Sequence, residues 1–288
     1  MFWKKKRKPS APEPVESTQA PPSAVPAPAE AAAPVQRQLS YRIGNLQGVG
    51  SRARQEDSFC FVNAMDVTAI REQGLFAVMA DGMGGMADGK VASETVSASL
   101  RADFQSLDRE ADLSPQLQQA VCRASERVFE QLHGDGGSTL VACLFYQQKL
   151  WFVSVGDSAL YLLRGGELLR LNREQNVLHE GYISAILRNS SDPTPARENP
   201  EKHALTQFLG IDGLSELDCL LRPLKLCDGD CFLLCSDGVS DVVPDEMIRT
   251  CLQQPDPTRI CAALEEAVLN ANNPYQDNYT ALIVQCGY

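Results

Sequence analysis

The chain has 288 residues, 44% of them hydrophobic and 22% charged, with a formal net charge of −11. That mixture is a globular protein's, no apolar run nears the roughly 20 residues a bilayer requires, and such acidity would repel nucleic-acid phosphates. The charge is uneven, +3 over residues 1–40 and −14 over the rest.

In chain order, Met1-Phe2-Trp3 runs into Lys4, Lys5, Lys6, Arg7 and Lys8 with no apolar stretch behind it, unlike a secretory signal peptide. Residues 9–40 hold eight of the seventeen prolines and almost no large apolar side chains. Such a stretch cannot bury enough surface to offset its ordering entropy. The expectation is a disordered arm over residues 1–40. Its basic tip would contact an anionic membrane surface or an acidic partner, or simply be solvated, and a folded domain would fill residues 41–288.

Strand patterns follow at Leu75 to Ala80, Ser138 to Tyr146, Leu150 to Val155, Ala159 to Leu163, Cys231 to Cys235 and Tyr279 to Gln285. Gly165-Gly166 marks a hairpin between Tyr161-Leu162-Leu163 and Leu168-Leu169. Apolar residues spaced by three or four predict helices from about Lys90 to Phe104, Pro115 to Leu132 and Pro257 to Asn270. Residues from about Gln175 to Asn199 read as a long polar loop or flap. The strands cluster without strict β-α-β alternation, so the fold class is α+β. The ten cysteines sit mostly in apolar runs, as reduced thiols of an intracellular protein do. Cys227, Cys231 and Cys235, four apart, read as core packing rather than a zinc site.

Four acidic motifs end apolar strands beside Gly or Asn: Ala80-Asp81-Gly82-Met83-Gly84-Gly85, Val155-Gly156-Asp157-Ser158, Cys235-Ser236-Asp237-Gly238 and Gln276-Asp277-Asn278-Tyr279-Thr280. A fifth acidic pair, Glu56-Asp57, follows Arg52-Ala53-Arg54-Gln55. Each Asp-Gly alone is as readily a simple turn. Converging carboxylates need cations between them, and an all-oxygen set selects hard ions such as Mg²⁺ or Mn²⁺. Two such ions can orient and deprotonate a water for in-line attack on phosphorus.

Taken in order, Arg-x-x-x-Glu-Asp, Asp-Gly-Met-Gly-Gly, Gly-Asp-Ser, Ser-Asp-Gly and Asp-Asn-x-Thr resemble the protein phosphatase 2C family of metal-dependent Ser/Thr phosphatases, over about residues 41–288. The resemblance implies a four-layer α/β/β/α sandwich of two antiparallel sheets flanked by helices. It implies hydrolysis of phosphoserine and phosphothreonine by a metal-bridging hydroxide, with Arg52, Asp81 and Asp237 catalytic and Arg52 gripping the phosphate. The metal set would be Glu56, Asp57, Asp81, the Gly82 carbonyl, Asp237 and Asp277 around two Mn²⁺ or Mg²⁺, with Asp157 holding a third, weaker ion. Asn278 and Ser236 would support these ligands. Implied partners are phosphoproteins, the substrates of a cognate Ser/Thr kinase, met by a cytoplasmic, bacterial-type monomer without a transmembrane segment.

Four departures stand out. Gln55 replaces the usual Asn, and Met83 stands where many eukaryotic members carry a His proposed as proton donor. Ala159 takes the place of Arg in Gly-Asp-Ser-Arg, and the flap opens Glu174-Gln175-Asn176 instead of acidic-His-Ser. His133, His179 and His203 lie outside every motif, as ordinary surface or loop residues. Two other functions would fit the fold: a non-catalytic phosphoprotein-binding module, and a phosphatase for a small metabolite or nucleotide.

Overall fold

The computed structural model describes residues 39–84 and 88–288, so the expected arm lies outside the described residues except for its last two. Leu39 is already buried, and Ser40 opens the first strand.

Two antiparallel sheets carry the fold. The first runs in the order β1 (Ser40–Gly48), β13 (Tyr279–Gly287), β12 (Cys231–Cys235), β8 (Ala159–Arg164), β9 (Glu167–Arg170). The second runs β10 (Asp218–Cys219), β7 (Lys149–Val155), β6 (Leu140–Tyr146), β3 (Leu75–Ala80), β2 (Ser58–Val62), with β11 (Leu224–Lys225) also on β7. A small ribbon pairs β4 (Gly82–Gly84) with β5 (Gly136–Ser138). The helices are α1 (Val67–Gln73), α2 (Asp88–Phe104), α3 (Leu113–Leu132), α4 (Val177–Leu187), α5 (Thr194–Arg197), α6 (Asp237–Ser240), α7 (Asp245–Leu252) and α8 (Pro257–Asn270). No helix among the described residues is long and apolar enough to cross a membrane.

The sheets stack face to face. Met79, Val141, Phe145 and Phe152 of one meet Leu160, Leu162, Phe232 and Leu282 of the other. The outer face of the second sheet is covered by α2 and α3 through Val96, Leu100, Phe104, Val121 and Val128. The outer face of the first is covered by α7 and α8 through Ile248, Leu252, Ile260, Leu264 and Val268. This is the α/β/β/α sandwich. Because both faces of each central strand are covered, β3 and β12 are buried at every residue and read as continuous apolar runs rather than alternating ones.

The expected strand from Ser138 to Tyr146 breaks at Thr139. Its first part pairs with β4 and its second with β3 and β7. Residues 175–199 are not the polar loop the sequence suggested. α4 occupies Val177–Leu187, with the Asn176 side chain capping it by accepting the His179 amide at 2.9 Å. Ile183, Ile186 and Leu187 stay exposed, so the helix has no apolar face set against a polar one to betray it. Cys231 and Cys235 are buried in β12, and all ten cysteines are free thiols.

Candidate metal centre

β3 and β12 belong to different sheets yet end on the same side of the sandwich, where the chain delivers Asp81 and Asp237. Asp81 leaves β3 with its carbonyl held by Thr139 N at 2.8 Å and Ser138 Oγ at 3.0 Å. Its own amide donates to Thr139 Oγ1 at 3.2 Å. Thr139 Oγ1 in turn bonds Ser158 Oγ at 2.7 Å, which joins this corner to the loop carrying Asp157. Asp237 opens the short helix α6 directly after β12.

Asp57 comes from the start of β2 and is fully buried. Its Oδ2 accepts from Thr280 Oγ1 at 2.6 Å and Ser236 Oγ at 3.2 Å, while Gln55 Oε1 accepts its amide at 2.9 Å. Gln55 therefore keeps the amide's anchoring role despite its extra methylene. Asp277, before β13, bonds its neighbour's amide and forms an ion pair with Arg52, whose side chain is 57% exposed. Arg52, Arg54, Glu56, Gly84 and Asn278 line a cleft of about 350 Å³.

Burial raises the Asp81 carboxyl well above the usual range, and the charges of Asp57, Asp237 and Asp157 push it further. Burial, then Asp157, Asp241, Asp277 and Asp57, lifts Asp237 to about 7. Burial and Asp241 lift Asp157 to about 6. Asp57 is also raised by burial, although the Thr280 and Ser236 hydroxyls oppose it. These four carboxylates thus sense one another, with Asp277 adding its charge. Glu56 lines the neighbouring cleft.

Among the described residues, no group of three acidic, histidine or cysteine side chains stands close enough to hold an ion as it is. The donor chemistry nevertheless fits a hard cation. Among the described residues, Asp57 Oδ1 and Asp237 Oδ1 are buried with no hydrogen-bond partner. Gly82 lets the Gly89 and Glu56 backbone close in on it because it has no side chain. A Cβ there would lie 2.0 Å from the Gly89 carbonyl oxygen and 2.6 Å from that of Glu56.

Two contributors escaped the sequence reading. Asp241 lies one turn beyond Asp237 and raises both Asp237 and Asp157. Its four-residue spacing on α6 was the available signal. Arg170, on β9, donates from Nη2 to the Asp157 carbonyl at 2.8 Å, and no local motif announces it. His133 caps the end of α3 in a left-handed conformation, His179 lies in the first turn of α4, and His203 opposes the raised pKa of Asp241.

Comparison with known proteins places this arrangement. A family profile described as protein phosphatase 2C matches residues 49–272. The serine/threonine protein phosphatase PstP of Mycobacterium tuberculosis is 33% identical over 231 residues, 75% of this chain and 42% of that protein. The chain therefore spans less than half of that relative's length. The serine/threonine phosphatase stp of Listeria monocytogenes is 29% identical over 219 residues, 72% of this chain and 83% of stp. The crystal structure of the PstP catalytic domain with two manganese ions superposes with a TM-score of 0.68 at 30% identity, covering 87% of this chain and 100% of that one. On the matched profile, the two-sheet sandwich and these relatives together, the chain belongs to the protein phosphatase 2C family.

Proposed function

We propose that this chain is a metal-dependent protein serine/threonine phosphatase that hydrolyses phosphoserine and phosphothreonine in a single in-line displacement. The observation that carries the reading is the pair of buried, unpartnered carboxylate oxygens on Asp57 and Asp237, flanking Asp81 beside an arginine-lined cleft. PstP and stp, named as serine/threonine phosphatases, support it, as does the PstP structure with two manganese ions.

Asp81, Asp237, Asp277, Glu56, Asp57 and the Gly82 carbonyl would hold two Mn²⁺ or Mg²⁺ ions, and Asp157 would hold a third, weaker one. Cations held there would lower the pKa of a bound water and offset charge on the phosphoryl oxygens. The chain's own residues do the rest. Asp57 is held by Thr280 and Ser236, so its free oxygen points one way. Arg52 offers a permanently charged fork to the phosphate and gives up its contact with Asp277 as it does so. The substrates are phosphoproteins of a Ser/Thr kinase, and the enzyme acts as a cytoplasmic monomer.

The test is phosphate release from a phosphothreonine peptide with Mn²⁺, with excess chelator, and in Asp237→Ala. Turnover that requires Mn²⁺ and drops at least a hundredfold in a folded Asp237→Ala supports the reading. Unchanged turnover in chelator or in that variant overturns it.

A further inference from the structure

One of this chain's departures from its family, Glu174-Gln175-Asn176, lies on a line of hydrogen bonds that starts at Arg170, and another, Ala159, opens the strand beside it. Ala159 opens β8 where the family resemblance places arginine. Arg170 lies opposite Tyr161 in the β8–β9 register, on the neighbouring strand. Its guanidinium lies 5.8 Å from the Tyr161 ring centroid, donates to the Asp157 carbonyl at 2.8 Å, and pairs through Nη1 with Glu174.

Glu174-Gln175-Asn176 continues the line. Glu174 Oε2 accepts from Asn176 Nδ2 at 2.9 Å, and Asn176 Oδ1 caps α4 through the His179 amide. Gln175 closes the gap beside it. Its Oε1 accepts the Gly156 amide at 2.8 Å, and its own amide donates to the Gly156 carbonyl at 3.0 Å. The loop that carries Asp157 is therefore bonded by Arg170 and Gln175, the first turn of α4 by Asn176, and Glu174 links Arg170 to Asn176.

We infer that Arg170 is a positioning residue for Asp157: through Glu174 and Asn176 it couples the Asp157 loop to α4, so that the two segments order and loosen together. A forked cation between one carbonyl and one carboxylate fixes distance and direction at once, which a single lysine ammonium does not. Whatever α4 meets on the surface is then linked to the placement of Asp157, and the linkage is reciprocal. The inference takes from the proposed function only that Asp157 faces a cation.

The experiment is hydrogen exchange on the full-length chain, first without metal, comparing wild type with R170Q, R170K and E174Q. The expected result is exchange about tenfold faster in both residues 155–158 and residues 177–182 for R170Q and E174Q. R170K should fall between, and α8 should not change. Loosening of only one segment, or an equal rise across α8, overturns the coupling. With Mn²⁺ added, α4 should gain protection in wild type, and R170Q should lose at least threefold of that gain and need more Mn²⁺ for half-saturation. Mn²⁺ that protects neither segment in wild type counts against Asp157 as a cation holder, whereas the metal-free comparison decides the coupling by itself.

Discussion

Asn278 splints the acidic centre to the loop that carries Glu56: its Oδ1 accepts the Glu56 amide at 2.7 Å, and its Nδ2 donates to the Val49 and Arg54 carbonyls at 2.9 and 2.8 Å. The side chain is buried and its three bonds are part-buried, so losing them removes contacts that water replaces only in part. Asn278→Ala should lower stability by about 2–4 kcal/mol and reduce kcat/KM on a phosphopeptide further than the stability loss explains. Asn278→Asp keeps the acceptor but loses both donors and adds a charge to an acidic site, and should be no better. Urea melts beside turnover measurements check both; wild-type turnover in either variant would refute the splint.

The Asp237 carboxylate costs the fold stability in the absence of a cation. Burial and neighbouring carboxylates disfavour its charge, so neutralising it should relieve strain. Asp237→Asn is expected to raise the Tm of the chelator-treated protein by roughly 2–4 °C, about 1 kcal/mol for a domain of this size, while turnover falls at least a hundredfold. Differential scanning calorimetry in chelator reads the first effect and phosphate release the second. A lower metal-free Tm in the variant would show that the carboxylates do not repel one another.

Two glycines admit no side chain because backbone already fills the space. A Cβ on Gly82 would sit 2.0 Å from the Gly89 carbonyl oxygen, and one on Gly238 would sit 2.0 Å from that of Asn278. These atoms belong to the segments that frame the centre and cannot rotate away. Gly82→Ala and Gly238→Ala should each destabilise by about 3 kcal/mol or more, towards the upper end of single-residue effects. Gly165→Ala, in the β8–β9 turn, meets nothing within 4 Å and carries only its positive φ of 60°, so it should cost about 1 kcal/mol. Thermal melts that rank the three otherwise would contradict the packing described.

Much of this architecture was legible in the sequence. β3 and β12 were read with their observed ends because strands covered on both faces are continuous apolar runs, bounded here by Asp-Gly and Ser-Asp. The ends of α8 were likewise marked, by Pro257 at its start and by loss of period after Val268. Other elements carried no such mark. In β1, Tyr41 and Ile43 alternate with Arg42 and Gly44, but the strand is only partly buried and its pattern fades by Asn45. α4 is apolar on several sides, and α7 is only eight residues long. What no local reading could supply is convergence. Asp57 meets Thr280 across 223 positions and Ser236 across 179, because β2 and β13 lie in different sheets. Arg170 reaches Asp157 through a hairpin register, not a motif.

The raised carboxylates also set a direction for pH. Burial and neighbouring carboxylates push Asp157 up to about 6 and Asp237 up to about 7, above the ordinary carboxylate range. A carboxyl whose folded pKa is raised contributes stability that is fully present below the unfolded value and is lost as pH rises through the folded one. The metal-free protein should therefore lose stability between about pH 4 and pH 7. From pH 5.5 to 8 the loss should be about 3 kcal/mol, or roughly 6–12 °C in Tm for a domain of this size. Cations between the carboxylates favour the charged form, so saturating Mn²⁺ should flatten or reverse the slope. Asp237→Asn removes one of the two titrations and should make the metal-free slope shallower. Scanning calorimetry across that range, with and without chelator, checks all three. A metal-free Tm that climbs from pH 5.5 to 8 would mean that the acidic groups are not held together as described.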